Sequence, residues 1–404
     1  MQTALAAAFK DTPQGREADA ILRRCVHCGF CNATCPTYQL LSDERDGPRG
    51  RIYLIKQLLE GQPVTAKTQL HLDRCLTCRA CETTCPSGVN YHRLADIGRQ
   101  LLTEQRRRPL GQRLLHQSLR AVLPYPHRFT PLLRLAQGLR RVLPATWRQS
   151  LPLHRPARPW PIPRHHRRML VLAGCVQPGI APNINAAAAR VLDRLGVSLV
   201  QARAAGCCGA LSYHLDAQEQ GRQFMRRLVD AWWPEVEAGV EAIVMTASGC
   251  GTLVKDYGRL LQDDPAYQDK AARIAALTRD LGEILAEQDL TTLAIPPGRR
   301  LAFHLPCSLQ HGQRLGGVVE GVLRRLGFFL TPVAESHLCC GASGTYALLQ
   351  PALARSLREN RLKALEAGHP ELIVTANIGC LAHLQPGSRL PVRHWIEVVD
   401  EAGS

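Results

Sequence analysis

The stretch Cys25-Val26-His27-Cys28-Gly29-Phe30-Cys31-Asn32-Ala33-Thr34-Cys35-Pro36 recurs fifty residues later as Cys75-Leu76-Thr77-Cys78-Arg79-Ala80-Cys81-Glu82-Thr83-Thr84-Cys85-Pro86. Each run spaces its cysteines by two, two and three residues and closes on Cys-Pro. A cubane 4Fe-4S cluster needs four thiolates at tetrahedral corners. Two-residue gaps let three consecutive cysteines wrap three irons, and the fourth cysteine then points to the neighbouring cluster. The expected assignment is therefore crossed: Cys25, Cys28, Cys31 and Cys85 hold one cluster, and Cys75, Cys78, Cys81 and Cys35 hold the other. Structural zinc, the alternative, needs four ligands in one site and leaves the third close cysteine and the Cys-Pro endings unexplained. Fully thiolate-ligated clusters do one-electron transfer rather than substrate chemistry, so no catalytic residue is expected in this region.

The rest of the composition agrees with metal binding. Sixteen cysteines among 404 residues are too sparse for a disulfide scaffold, and all sixteen fall into four compact motifs. With 45% hydrophobic residues the chain can fold as two or three domains. No long uninterrupted apolar run is present, and Lys10 and Asp11 follow closely on a short Ala-rich start with no signal-peptide core, so a soluble, cytoplasmic protein is expected.

The net charge of +16 is concentrated, since residues 101–170 carry fifteen arginines, no lysine and one acid, Glu104. Such an excess suggests nucleic acid or an anionic membrane surface. No nucleic-acid motif stands beside it, and thiolate-ligated clusters are anionic and would balance part of the charge, so no nucleic-acid partner is expected.

Along the chain, residues 1–100 read as a small helical domain around cofactors, with the turn Asp46-Gly47-Pro48-Arg49-Gly50 followed by helical spacing over Arg51–Glu60. Residues 101–168 read as an Arg/Pro-rich linker or docking arm, with short amphipathic helices over Leu114–Leu123 and Leu132–Leu143 and an extended tail over Pro156–Arg168. From Met169 the chain repeats itself. Cys175 and Cys307 are 132 apart, as are Cys207 and Cys339, and Cys208 and Cys340, while Cys250 and Cys380 are 130 apart. Two homologous halves, 169–296 and 297–404, follow. Each opens on an apolar run ending in cysteine (MLVLAGC; LAFHLPC), passes through a helical pattern and returns to a short apolar run, Ala242–Thr246 or Leu372–Thr375. Strand, helix, strand implies a parallel sheet, with ligands beyond the carboxyl ends of the strands, where Cys175, Cys250, Cys307 and Cys380 lie. The expected fold is α+β: a helical two-cluster ferredoxin-like domain, then two Rossmann-like α/β halves.

Cys207-Cys208-Gly209 and Cys339-Cys340-Gly341 are less common objects. Adjacent cysteines bridge to each other only with strain. Two neighbouring thiolates joined by Cys175 and Cys250, or by Cys307 and Cys380, can instead hold a metal cluster, giving one or two clusters beyond the first pair. The glycines would let the backbone approach sulfide closely. The alternative, relics of a duplicated site or thiols capping the cores, stays open.

At these residues the chain resembles the family carrying paired-cysteine CCG motifs, related to heterodisulfide reductase subunits, and within it the iron-sulfur subunits of bacterial glycolate oxidases (glycolate dehydrogenases). The phrases CVHCGFCNATCPTYQLL, DGPRGRIYLIKQ, HLDRCLTCRACETTCPSGV, AGCCGALSYHL, TASGCG, SHLCCGASGTYAL and VTANIGC carry the resemblance. It implies a non-catalytic electron-transfer subunit of a complex in which a flavoprotein subunit oxidises glycolate to glyoxylate, a further flavoprotein-like subunit assists, and electrons leave toward quinone at the inner membrane. It also implies no flavin in this chain, which agrees with the lack of a GxGxxG fingerprint. Related lactate or glycerol-3-phosphate dehydrogenase complexes, and a CCG-type thiol/disulfide reductase, are the alternatives. One departure stands out. The heterodisulfide reductase relatives have a CxxC pair at the last cysteine of each motif, whereas here Leu253 and His383 stand three residues after Cys250 and Cys380. A five-thiolate cluster is therefore not supported, and His383 is either a substitute in the second half or an ordinary surface or capping histidine.

Overall fold

The computed structural model describes residues 1–144, 148, 151–153, 155–293 and 298–403. The boundary expected between residues 296 and 297 lies outside the described residues. The chain forms two compact units, one of Met1–Leu115 with His337–Leu357 and one of His116–Ser336 with Arg358–Ser404.

The first unit is helical. Thr12 accepts the Gly15 N–H and Pro13 occupies the first turn, so helix Pro13–Arg24 begins there. The helix expected from Arg51 starts a turn earlier, at Pro48, whose fixed φ and missing N–H suit a first helical position, and it runs to Leu59. Helix Tyr91–Gln105 packs on both, burying Ile21, Leu22, Ile55, Leu58, Leu94, Ile97 and Leu102 in one core. Each such side chain contributes about 1.5–3 kcal/mol relative to exposure. Gly98 lets the helices close up, since a Cβ there would stand 2.7 Å from Ile55 Cγ1. The segment His337–Leu357 joins this unit through Ser343, whose hydroxyl donates to Leu76 O at 2.5 Å, and Tyr346, which donates to Arg74 O at 3.2 Å.

The second unit holds two four-stranded parallel sheets. Strands β1 (Arg167–Val171), β2 (Val197–Val200), β3 (Ile243–Met245) and β4 (Thr278–Asp280) lie in the order β2-β1-β3-β4. Strands β5 (Arg300–His304), β6 (Phe329–Leu330), β7 (Leu372–Thr375) and β8 (Val392–His394) lie in the order β6-β5-β7-β8. The same order in both sheets follows from the repeat. Strands β3 and β7 are buried along their whole length, which explains the unbroken apolar runs.

The two halves share one core. Helix Asn183–Arg194 of the first packs on the last helix of the second, Trp395–Ala402, and helix Val318–Arg325 of the second packs on Leu281–Ala286 of the first. Val191, Leu192, Ile284, Val322, Leu323 and Val399 meet there. Polar contacts stitch the halves as well: Arg190 pairs with Asp400 at 2.6 Å, and the His394 ring bonds Thr246 O at 2.9 Å.

The arginine-rich stretch forms helices Leu110–Val122 and Pro126–Gly138. The first buries no residue, and Leu110, Leu114, Leu132, Leu135 and Leu139 stand exposed among the arginines. Its tail then runs along edge strand β2, where Trp160 donates to Leu199 O at 3.1 Å and the Arg164 N–H to Ser198 Oγ at 3.0 Å. Among the described residues no helix is long and apolar enough to cross a membrane.

Candidate metal centres

In the first unit the sulfurs gather around two cavities. One is lined by Cys25, Cys28, Cys31 and Cys85, with Cys81 also on its wall. The other is lined by Cys35, Cys75, Cys78 and Cys81. Pro48, Cys81 and Tyr91 border both, so the cavities are separated by little more than one layer of side chains.

The loops that bring the cysteines round are matched in backbone. His27 and Gly29 in the first run, and Thr77 and Arg79 at the corresponding places in the second, all have positive φ, between 49° and 87°. Left-handed residues next to right-handed ones curl a loop so that backbone N–H groups point inward, a concavity suited to anions. Accordingly Thr77 N–H donates to Cys75 Sγ at 3.4 Å and Val89 N–H to Cys85 Sγ at 3.5 Å.

The crowding is electrostatically costly without a cation. Burial, followed by repulsion from Cys25, Cys85 and Cys28, pushes the Cys31 thiol up to about 11. Burial, then Cys78, Glu82, Cys75 and Cys35, pushes Cys81 well above the ordinary thiol range. Four thiolates can share such a space only around a positive core, which is what iron supplies. Cys75 is the exception: burial opposes its ionisation, but Arg51 and Arg99, with a hydrogen bond from Tyr91, bring it below the usual value.

Arg51, fully buried, is a residue that the cysteine spacing does not reveal. Its Nε donates to His71 O at 2.7 Å, its Nη atoms reach Thr37 Oγ1 at 3.2 Å, and Nη1 lies 4.0 Å from Cys35 Sγ. It pairs with buried Asp46 at 3.5 Å, and Asp46 also takes Arg74 at 2.8 Å and His71 at 3.0 Å. Burial works against its charge, yet Cys75, Tyr91, Cys35 and Asp46 together raise its pKa, so it is a permanent cation between two cysteine runs.

In the second unit the first paired-cysteine site is assembled from strand ends. Cys175 follows β1, and Cys250 sits in helix Ser248–Lys255 directly after β3. These are the central strands where the sheet order reverses, the crevice in which open parallel sheets bind ligands. The Cys207 thiol bonds to Cys175 and Cys208, and Cys208 to Cys250, so the four sulfurs form a continuous row. Bonds from Cys207 and Cys250 stabilise a thiolate at Cys208, lowering its pKa, while the pKa values of both donors rise. Tyr257 donates to Cys208 O at 2.6 Å and fixes the turn.

Cys307 and Cys380 occupy the corresponding places after β5 and β7, Cys380 within helix Ile378–Leu384. Cys339 and Cys340, both buried, lie in the segment belonging to the first unit. The two paired-cysteine turns have the same geometry: Gly209 N–H reaches Cys207 Sγ at 3.4 Å and Gly341 N–H reaches Cys339 Sγ at 3.4 Å. Both glycines are obligatory for a reason other than access to sulfide. Their φ values are +89° and +91°, and a Cβ would stand 2.6 Å from Gly221 O in one and 2.8 Å from Ala354 O in the other.

Comparison with known proteins agrees with this layout. Residues 21–89 match the 4Fe-4S dicluster domain family, and residues 169–255 and 301–385 match the cysteine-rich domain family, once for each half. The chain is 59% identical to the glycolate oxidase iron-sulfur subunit of Escherichia coli (strain K12), over all of this chain and 99% of that protein. It is 28% identical to the probable glycolate oxidase iron-sulfur subunit of Bacillus subtilis (strain 168), over 91% of this chain and 89% of that protein. Lactate utilization protein A of Geobacillus thermodenitrificans (strain NG80-2) is 28% identical over 54% of this chain and 92% of its own length. With a dicluster domain at its start, a doubled cysteine-rich domain after it and a full-length relative at that identity, the chain belongs to the family of glycolate oxidase iron-sulfur subunits.

Proposed function

We propose that this chain is the electron-transfer subunit of a glycolate-oxidising complex, taking electrons from a flavoprotein subunit that converts glycolate to glyoxylate and delivering them toward quinone at the inner membrane. The observation that carries the reading is the pair of adjoining cysteine-lined cavities, which share Cys81 on their walls, in a chain aligned from end to end with a glycolate oxidase subunit. Cys25, Cys28, Cys31 and Cys85 would hold one 4Fe-4S cluster and Cys75, Cys78, Cys81 and Cys35 the other. Cys175, Cys207, Cys208 and Cys250, and by the repeat Cys307, Cys339, Cys340 and Cys380, would hold further clusters. The functional divisions proposed are 1–100 for the first pair, 101–168 as docking arm, and 169–296 and 297–404 as the paired-cysteine halves.

Bound clusters supply one-electron chemistry. The protein's part is to hold the ligands and set their electrostatics. Arg51 keeps positive charge beside Cys35, Tyr91 lends a hydrogen bond to Cys75, and the curled loops direct N–H groups at sulfur. Peripheral membrane attachment is supported by the exposed leucines of helices Leu110–Val122 and Pro126–Gly138 and the arginines between them. Apolar faces flanked by basic side chains bind anionic interfaces, and such binding weakens with salt.

Affinity capture of the chain with its native partners, followed by dye reduction with glycolate and with D-lactate, tests the substrate. Reduction by glycolate is expected, and reduction by D-lactate alone would replace this reading with the lactate one. Cosedimentation with anionic vesicles tests the membrane surface: binding should fall between low and high salt, and failure to bind at low salt would refute it.

A further inference from the structure

The second repeat contains a buried histidine with nothing to bond. His304 ends strand β5, three residues before Cys307, and is 1% exposed, yet neither Nδ1 nor Nε2 has a hydrogen-bond partner. Leaving a buried polar group unsatisfied costs about 1–3 kcal/mol, so both ring nitrogens unpaired in one core position call for a ligand. In register beside it on β7 stands Thr375, fully buried, whose hydroxyl is also unpartnered. The Sγ of Cys380 lies within 4.8 Å of a His304 ring nitrogen, and Asn377 Nδ2 donates to that sulfur at 3.4 Å. All four groups surround the carboxyl ends of the central strands, where the sheet order reverses.

The first repeat has none of this. By the offsets of the cysteines, Leu172 corresponds to His304, Met245 to Thr375 and Ala247 to Asn377. Leu172 and Met245 are buried apolar side chains. The two halves therefore diverge at one spot, and there the second half acquires a nitrogen donor aimed at the ligand crevice. A neutral imidazole offers a ring lone pair, the form that binds metals.

We propose that the second repeat binds an iron-sulfur cluster in which His304 supplies a nitrogen ligand beside the Cys380 thiolate, whereas the site of the first repeat is ligated by sulfur alone. The proposal rests on the reading that the paired-cysteine halves carry clusters, and it is independent of the first cluster pair. A neutral imidazole in place of a thiolate removes one negative charge from the ligand shell and stabilises the reduced state, so the second site should be the more readily reduced of the two.

The test uses the full chain, purified without oxygen after labelling with 15N-histidine and examined reduced by pulsed EPR. A directly bonded 15N coupling is expected in the wild type and lost in His304→Leu, which installs the side chain of the first repeat, together with about four irons per chain. His304→Cys should restore the iron without the nitrogen coupling and make that cluster harder to reduce. Clusters beyond the first pair that show no histidine coupling in the wild type would overturn the proposal, a readout that needs no variant to fold. So would a His304→Leu protein with unchanged iron and spectra. About eight irons per wild-type chain would overturn it while leaving the electron-transfer reading intact. Absence of every cluster would sink both.

Discussion

Replacing Arg51 by methionine removes a fully buried guanidinium beside Cys35, and the structure sets the size of two effects. Arg51 Nη1 lies 4.0 Å from Cys35 Sγ. At an effective dielectric of about 20, unit charges at that distance interact by about 4 kcal/mol, which for one electron corresponds to roughly 170 mV. An electron added to a cluster spreads over its irons and sits farther away than the sulfur, so a fall of about 100 mV in midpoint potential is the working value. The second effect is on stability. Asp46 loses one partner but keeps Arg74 at 2.8 Å and His71 at 3.0 Å. The cost should therefore fall near the lower end of the range for breaking a buried ion pair, about 3 kcal/mol. An EPR-monitored redox titration of the anaerobic full chain measures the first effect. The cluster on Cys35, Cys75, Cys78 and Cys81 should shift down, and that on Cys25, Cys28, Cys31 and Cys85 should shift less, with Arg51→Lys falling between. A variant with full iron content whose two potentials both stay within about 20 mV of wild type would refute the reasoning.

The crossed ligand assignment predicts that Cys85→Ser disturbs the cluster on Cys25, Cys28 and Cys31, and Cys35→Ser the one on Cys75, Cys78 and Cys81; EPR of each variant should lose the signal belonging to the distant run, not the local one. Two equivalent strand ends should respond to pH with opposite sign. Burial raises Asp280 to about 7, so its contribution is fully present below about pH 4 and is lost as pH rises through 7. Asp280→Asn, which keeps the helix cap, should then stabilise the protein above pH 7 by on the order of 2–4 kcal/mol and give no gain below pH 4. Burial lowers His394 to about 4, so its contribution is present above about pH 6.5 and is lost as pH falls toward 4; His394→Gln should flatten that acid slope in anaerobic thermal unfolding.

Much of this architecture could be read from spacing because iron-sulfur ligation and parallel sheets both leave local marks. The two-two-three cysteine gaps specify loop curvature, and the 132-residue offset between Cys175 and Cys307 exposes the duplication that produces two sheets of the same order. Strands β3 and β7 announced themselves as short apolar runs because both their faces are covered. What escaped depends on tertiary neighbours. Arg51 sits in a helical pattern as an ordinary exposed-face residue would, and only packing shows it enclosed between Cys35, Thr37 and Asp46. His304 is masked by the apolar run LAFHLPC, whereas His383, which the missing CxxC cysteine draws attention to, is half-buried on helix Ile378–Leu384. The attachment of residues 337–357 to the helical unit, through the bond between Ser343 and Leu76 across 267 positions, has no local signature at all.

Two cubane clusters held side by side by crossed cysteine quartets form the centre of the proposed electron path. EPR of the fully reduced, anaerobically purified chain examines that directly, because paramagnets in adjoining cavities broaden and split each other's lines. The prediction is a brown protein with labile sulfide whose reduced spectrum contains two interacting 4Fe-4S signals. A colourless protein containing zinc, or two cluster signals with no magnetic interaction, would contradict it.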